Sequence, residues 1–252
     1  MRAERKAREQ AEAERALRRR RLRMGLAAVA AAVAVVLAVV LIAGGAGDDG
    51  GLEPGEEPAG VAESRAMLDG IPQDGIALGD PDAPVTLVEF ADLQCPFCRQ
   101  YAVGALPGIV EDYVRPGRVR LELRLLRFIG VDSQRAAAVA AAAAAQDRLW
   151  NFTDLFYRNQ GRENSGYVTD DFLRKIGEAA GLDVDRAFRD RDGVPAEELI
   201  MEGEDLANEH GIDSTPSFLV GPTGGRLERL EVTSLDAGSF REALDEALAN
   251  AR

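Results

Sequence analysis

A chain of 252 residues with two cysteines and one histidine has room for a membrane segment plus one ordinary domain, and it must hold its core without a disulfide framework. Its net charge of -13 is divided: residues 1–23 carry ten Lys/Arg against four Glu, leaving 20 basic against 39 acidic residues beyond them. That acidic remainder repels phosphate and excludes nucleic acid as a partner, while two cysteines and the distant His210 fall short of a zinc ligand set, so no metal is expected.

Residues 1–23 read as a basic cytoplasmic tail. Met24 to Gly47 follows without a single charge, and about 20 such residues cross the roughly 30 Å hydrocarbon core as a helix. The preceding RALRRRRLR holds its side in the cytoplasm, which makes 24–46 a single transmembrane anchor. A signal peptide cut near Ala43–Ala46 is the competing reading, but signal cores run about 7–15 residues and this one is longer. Either way the chain from Gly47 on is expected outside the cytoplasm, where disulfide chemistry is permitted. The Gly, Pro and Glu content of DDGGLEPGEEPAG predicts a flexible acidic linker over 47–75, with one folded domain over 76–252.

In that domain Val85 to Ala91 is a β-branched and apolar run, a buried strand. CPFC follows at once and opens a helical segment, RQYAVGALPGIVEDYV, in which Pro107 predicts a kink. Arg118 to Leu126 alternates polar and apolar residues, so the unit is strand–helix–strand, long enough for a parallel crossover. From about 132 to 211 the pattern is helical throughout, with Trp150, Phe152, Phe156 and Tyr157 as packing core. Thr169 caps one of these helices, and Pro195 and Gly211 bound another. Pro216–Val220 and Arg226–Val232 read as a hairpin, and Asp236–Asn250 as a closing helix. The fold class is therefore α/β, with one mixed sheet and an inserted helical block.

Both cysteines lie in this first unit, at a strand-to-helix corner. Residues three apart share a helix face at a separation suited to a disulfide. Cys95 would sit where free N–H groups and the helix dipole favour a thiolate, exposed to a partner, with Cys98 shielded and less acidic. Such a pair suits thiol–disulfide exchange: one sulfur forms a mixed disulfide and the other resolves it. A structural staple over so short a loop stabilises little. Glu89 lies six residues earlier in the strand. Pointing inward, it would be a buried carboxylate able to handle the Cys98 proton; pointing outward, it would be an ordinary strand carboxylate. Pro216 opens a strand, which invites a cis Thr215–Pro216 bond whose Thr215 backbone could pair with an extended peptide. An ordinary trans turn proline is the alternative.

VTLVEFADLQCPFC, RLWNFTDLF and GIDSTPSFLV together resemble the DsbA-like thiol–disulfide oxidoreductases of the thioredoxin superfamily, over roughly 76–252. The resemblance implies a thioredoxin-like fold interrupted by a helical domain. It assigns Cys95 as nucleophile, Cys98 as resolving cysteine, Glu89 as the buried acid and Pro216 as the cis-proline. Pro96, Phe97, Thr215 and Pro216 would meet the substrate. No cofactor is implied beyond the Cys95–Cys98 disulfide itself. The implied partners are thiols of secreted or membrane proteins and a membrane reoxidising protein of the DsbB/VKOR type. The anchor and acidic domain resemble membrane-tethered members from Gram-positive-type bacteria, and the Arg, Ala and Gly bias suits a high-GC genome. The family's enteric prototype carries Pro-His between its cysteines. Phe97 cannot supply that charge, so a less oxidising disulfide is expected.

Two other readings accompany dithiol oxidation. One is a membrane-tethered reductase or isomerase, for example in cytochrome maturation. The other is a non-catalytic binding or chaperone module.

Overall fold

The computed structural model describes Leu52 and residues 56–251. The expected tail and anchor over 1–46 lie outside the described residues. Among those described, no helix is long and apolar enough to cross a membrane.

The elements run α1 (Val61–Leu68), β1 (Gln73–Asp74), β2 (Ala77–Leu78), β3 (Val85–Asp92), α2 (Pro96–Gly104) and α3 (Leu106–Ile109). A π-helical turn, Val110–Val114, leads to β4 (Val119–Leu126). The helical block is α4 (Val131–Ala144), α5 (Leu149–Arg158), α6 (Asp170–Ala179), α7 (Val184–Asp190) and α8 (Val194–Glu209), followed by β5 (Ser217–Pro222), β6 (Glu228–Arg229) and α9 (Ala237–Asn250). One mixed sheet has the order β1-β2-β4-β3-β5-β6. β3 pairs parallel to β4 over its full length and antiparallel to β5. This is a thioredoxin-like α/β fold with an inserted helical block, as the element order predicts.

Side-chain alternation along β3 divides the interior. Val85, Leu87 and Ala91 face the larger core with Tyr101, Phe152, Phe156 and the alanines of α4. Val88 and Phe90 face a smaller one with Leu126, Ala207 and Ile212 beneath α8. Close approach of α8 to β4 requires Gly203, where a Cβ would lie 3.0 Å from the Leu125 carbonyl oxygen. Pro107 interrupts the first helical segment as expected: α2 stops at Gly104 and α3 begins at Leu106.

Two expectations are corrected, the first and third below, and one unannounced element joins them. The proposed 47–75 linker is folded over its second half, so the domain does not begin at 76. Met67 and Leu68 of α1 are buried in the main core, and the Arg115 guanidinium caps that helix by donating to the carbonyls of Ala66, Met67 and Asp69. Two adjacent apolar residues at the end of a short helix leave little periodic signal in sequence, yet they suffice once a core surface is there to receive them. Second, β1 and β2 form a short hairpin on the β4 edge that alternation over so few residues does not announce. Third, the expected strand 226–232 pairs only at Glu228 and Arg229, because it is an edge with exposed side chains and no second partner.

Candidate active site

β3 ends at Asp92, and the chain turns through Leu93 and Gln94 into α2, whose N-cap is Cys95. Asp92 makes that corner rigid. Its buried carboxylate accepts from Gln94 N–H (2.9 Å), Ile129 N–H (3.1 Å) and Ser133 Oγ–H (2.6 Å), and its carbonyl accepts from Cys95 N–H (2.9 Å). Burial pushes the Asp92 carboxyl up, against the pull of these hydrogen bonds. Pro96 at the first helical position has no N–H to satisfy and suits the start of α2.

At the N-cap, Cys95 Sγ accepts a hydrogen bond from Cys98 N–H at 3.4 Å and donates to the Thr215 carbonyl at 3.2 Å. The Thr215–Pro216 peptide bond is cis. Both cysteines carry free thiols. The hydrogen bond from the Cys98 side chain lowers the Cys95 thiol most, and the Thr215 side chain and the backbone at Cys98 and Phe97 add to it. Against the opposing effect of burial, Cys95 comes down from 9.0 to about 6. Cys98 moves the other way, pushed well up by burial and by the nearby Cys95 and Glu89. Glu89 faces the same side of β3 as Leu87 and Ala91. It is 4% exposed, with Oε1 unpaired, and burial followed by the Cys95 charge raises it to about 8.

The structure therefore brings Cys95, Cys98, Glu89, Thr215 and Pro216 together and places Glu89 inward. Phe97 stands 60% exposed beside them. One expectation is corrected: Cys95 is not an exposed thiol but only 4% exposed, because the Thr215–Pro216 loop and the corner at Asp92 close over it.

The matching family model, thioredoxin, covers residues 72–231. The chain belongs to the thioredoxin family. This thioredoxin-family chain is 33% identical over 176 residues to the probable disulfide bond formation protein D of Bacillus cereus, spanning 68% of the chain and 78% of that protein. Oxidised BdbD from Bacillus subtilis matches with a TM-score of 0.61 at 22% identity, over 71% of this chain and 97% of that one. The α-DsbA1 of Wolbachia pipientis matches at 0.60 and 22%, over 75% and 97%. At that identity the two structures speak for the fold; the sequence relative and the cysteine corner speak for the chemistry. It is a protein-disulfide oxidoreductase.

Sequence reasoning missed the residues of the helical block that reach this corner. Gln160 Nε2 donates to the carbonyls of Leu93 (2.7 Å) and Cys95 (3.2 Å). Tyr157 Oη donates to the Asp92 carbonyl (3.3 Å), and Gln94 Nε2 donates to Tyr167 Oη (2.8 Å). Nothing in the spacing of these residues marks them, since their targets lie 65 to 73 positions away.

The two unequal thiols carry a prediction. On acidification of the reduced protein, thiolate absorbance near 240 nm should be lost with a midpoint of about 6. In Cys98→Ala the midpoint should rise, because the largest cause of the depression is gone. A single transition at the ordinary cysteine value in the wild type would remove the electrostatic basis of this site.

Proposed function

We propose that this oxidoreductase is a membrane-tethered, extracytoplasmic dithiol oxidase, with Cys95 as the exchanging sulfur and Cys98 as its resolving partner. The observation that carries the reading is the position of Cys95 Sγ at a helix N-terminus, between the Cys98 N–H and Thr215, beside a buried Cys98 of opposite thiol character. A sulfur so placed is a good leaving thiolate and a poor base.

In the oxidising direction a substrate thiolate attacks Cys95 Sγ of the Cys95–Cys98 disulfide. A mixed disulfide forms, and the electron pair of the broken bond goes to Cys98. That buried sulfur then needs a proton, and Glu89, whose carboxyl burial raises, is the neighbouring group able to give one. The second substrate thiolate attacks the substrate sulfur of the mixed disulfide and expels Cys95 as a thiolate. The net result is one substrate disulfide and a reduced Cys95–Cys98 pair, two electrons having passed to the protein.

Exposed Phe97, with Phe128 on the loop that Asp92 holds and Val131 at the start of α4, supports a polypeptide substrate that presents apolar residues near its cysteines. The uncharged 24–47 segment behind an Arg-rich stretch supports tethering, with the domain in an oxidising compartment and a membrane protein bearing its own disulfide as reoxidant. Beyond the cysteine pair the reading needs no cofactor.

Cys98→Ala in the full chain, expressed in its membrane, tests this. Stable mixed disulfides between Cys95 and exported proteins are expected, released by reductant. In the wild type, acid-quenched alkylation should find the pair oxidised at steady state. Absence of any Cys95 adduct would leave a binding module, and a pair held reduced would leave a reductase or isomerase.

A further inference from the structure

Gln160 follows the end of α5 and stands at a junction of three parts of the molecule. Its neighbour Asn159 clasps the entry of the chain into the domain, accepting from Ala59 N–H (2.8 Å) and donating to the Ala59 carbonyl (3.0 Å). Gln160 itself turns the other way. Its one amide nitrogen donates to both Leu93 and Cys95 carbonyls, on either side of Gln94. Leu93 and Gln94 are each 1% exposed, so the Leu93 carbonyl is cut off from water. The Cys95 carbonyl also accepts the first α2 bond, from Arg99 N–H at 3.2 Å.

We propose that Gln160 is a positioning residue for the exchange chemistry: by holding the Leu93 and Cys95 carbonyls it fixes the N-cap geometry in which Cys95 Sγ meets the Cys98 N–H and Thr215. The inference rests on the assignment of Cys95 as the exchanging sulfur. Two physical effects give it a sign. A carbonyl left without a donor in a buried corner costs free energy and rotates to find one, which loosens the cap. The amide N–H groups also offset the negative ends of two carbonyl dipoles close to Sγ, and their loss makes the thiolate less favourable. The titratable groups that face Cys95, Glu89 on β3, Cys98 on α2 and Tyr157 on α5, are untouched by the change. Both effects disfavour the thiolate, so the reduced form becomes less stabilised relative to the disulfide.

Gln160→Met keeps length and volume and removes both donors. The thiolate transition of the reduced protein should move to higher pH, with about a tenfold smaller thiolate fraction at pH 5, and the equilibrium with glutathione should shift about tenfold toward the protein disulfide. Gln146→Met is the control. Gln146 makes a comparable pair of bonds, to the Asp183 backbone, at a surface away from the cysteines. It should lower the melting temperature without moving either readout. If Gln160→Met lowers the melting temperature alone, Gln160 is merely structural and the proposal is overturned. A wild type without a low-pH thiolate would instead defeat the reading of Cys95, so the two failures are distinguishable.

Discussion

Cys95→Ser should reduce dithiol oxidation to the uncatalysed rate while leaving the domain folded. Serine is among the best N-cap residues, and its Oγ can accept from the same Cys98 N–H that Sγ accepts now. Stability in urea should therefore stay within about 1 kcal/mol of the wild type. Chemistry cannot survive the change, because a hydroxyl does not form a disulfide and Cys98 is fully buried. A loss on the order of a thousandfold or more is expected, read as the rate at which protein added to a glutathione-disulfide buffer, which supplies the oxidant, catalyses conversion of a fluorescent dithiol peptide to its disulfide. Cys98→Ser should lose turnover as well but still form adducts through Cys95. A Cys95→Ser variant retaining more than a tenth of the wild-type rate would falsify the assignment.

Glu89→Gln should separate stability from activity. In the unfolded chain the carboxyl ionises near 4.5, whereas in the folded protein it holds its proton up to about 8. Between those values the folded state binds more protons than the unfolded one, so stability falls as pH rises from 4.5 through 8. The contribution is fully present below 4.5. At pH 7 the linkage amounts to about 3 kcal/mol, which removal of the ionisable group should largely restore. The buried glutamine amide brings a donor that also needs a partner, so a net gain of about 2 kcal/mol is expected at pH 7 and none at pH 4. The effect should be smaller in the oxidised protein, where the Cys95 charge that helps raise Glu89 is absent.

Activity should move in the opposite direction. With no proton to give, the step that releases Cys98 should slow by about tenfold or more. In the wild type that step should weaken as pH rises through the Glu89 value that burial raises in the oxidised protein, and in the variant this dependence should vanish. Denaturant unfolding at two pH values and stopped-flow exchange across the range read both quantities. A variant no more stable at pH 7, with an unchanged pH profile, would show that Glu89 is neither a buried proton reservoir nor part of the exchange.

The cysteine corner was legible because all of its information is local. An apolar run, CPFC and an amphipathic continuation set the strand, the N-cap and the one-turn spacing within 14 residues, and period-two alternation allowed Glu89 an inward position. The order of elements was legible for the same reason, since helical periodicity is local and two helices of the block carry their own side-chain caps, Thr169 accepting from Phe172 N–H and Asp183 from Arg186 N–H. Sequence by itself therefore determined which sulfurs meet, that one opens a helix, and that helices interrupt the sheet. Tertiary structure alone decided that Cys95 is nearly enclosed, that Glu89 is buried rather than solvated, and that α1 belongs to the core. It also decided that Gln160 reaches the carbonyls of Leu93 and Cys95. The bonds behind these outcomes cross 65 residues between Gln160 and Cys95 and 120 between Cys95 and Thr215. A single donor or carbonyl at such a distance leaves no periodicity in the chain, and the surfaces that desolvate Glu89 and Cys95 exist only once the sheet, the helical block and the Thr215–Pro216 loop have closed around them.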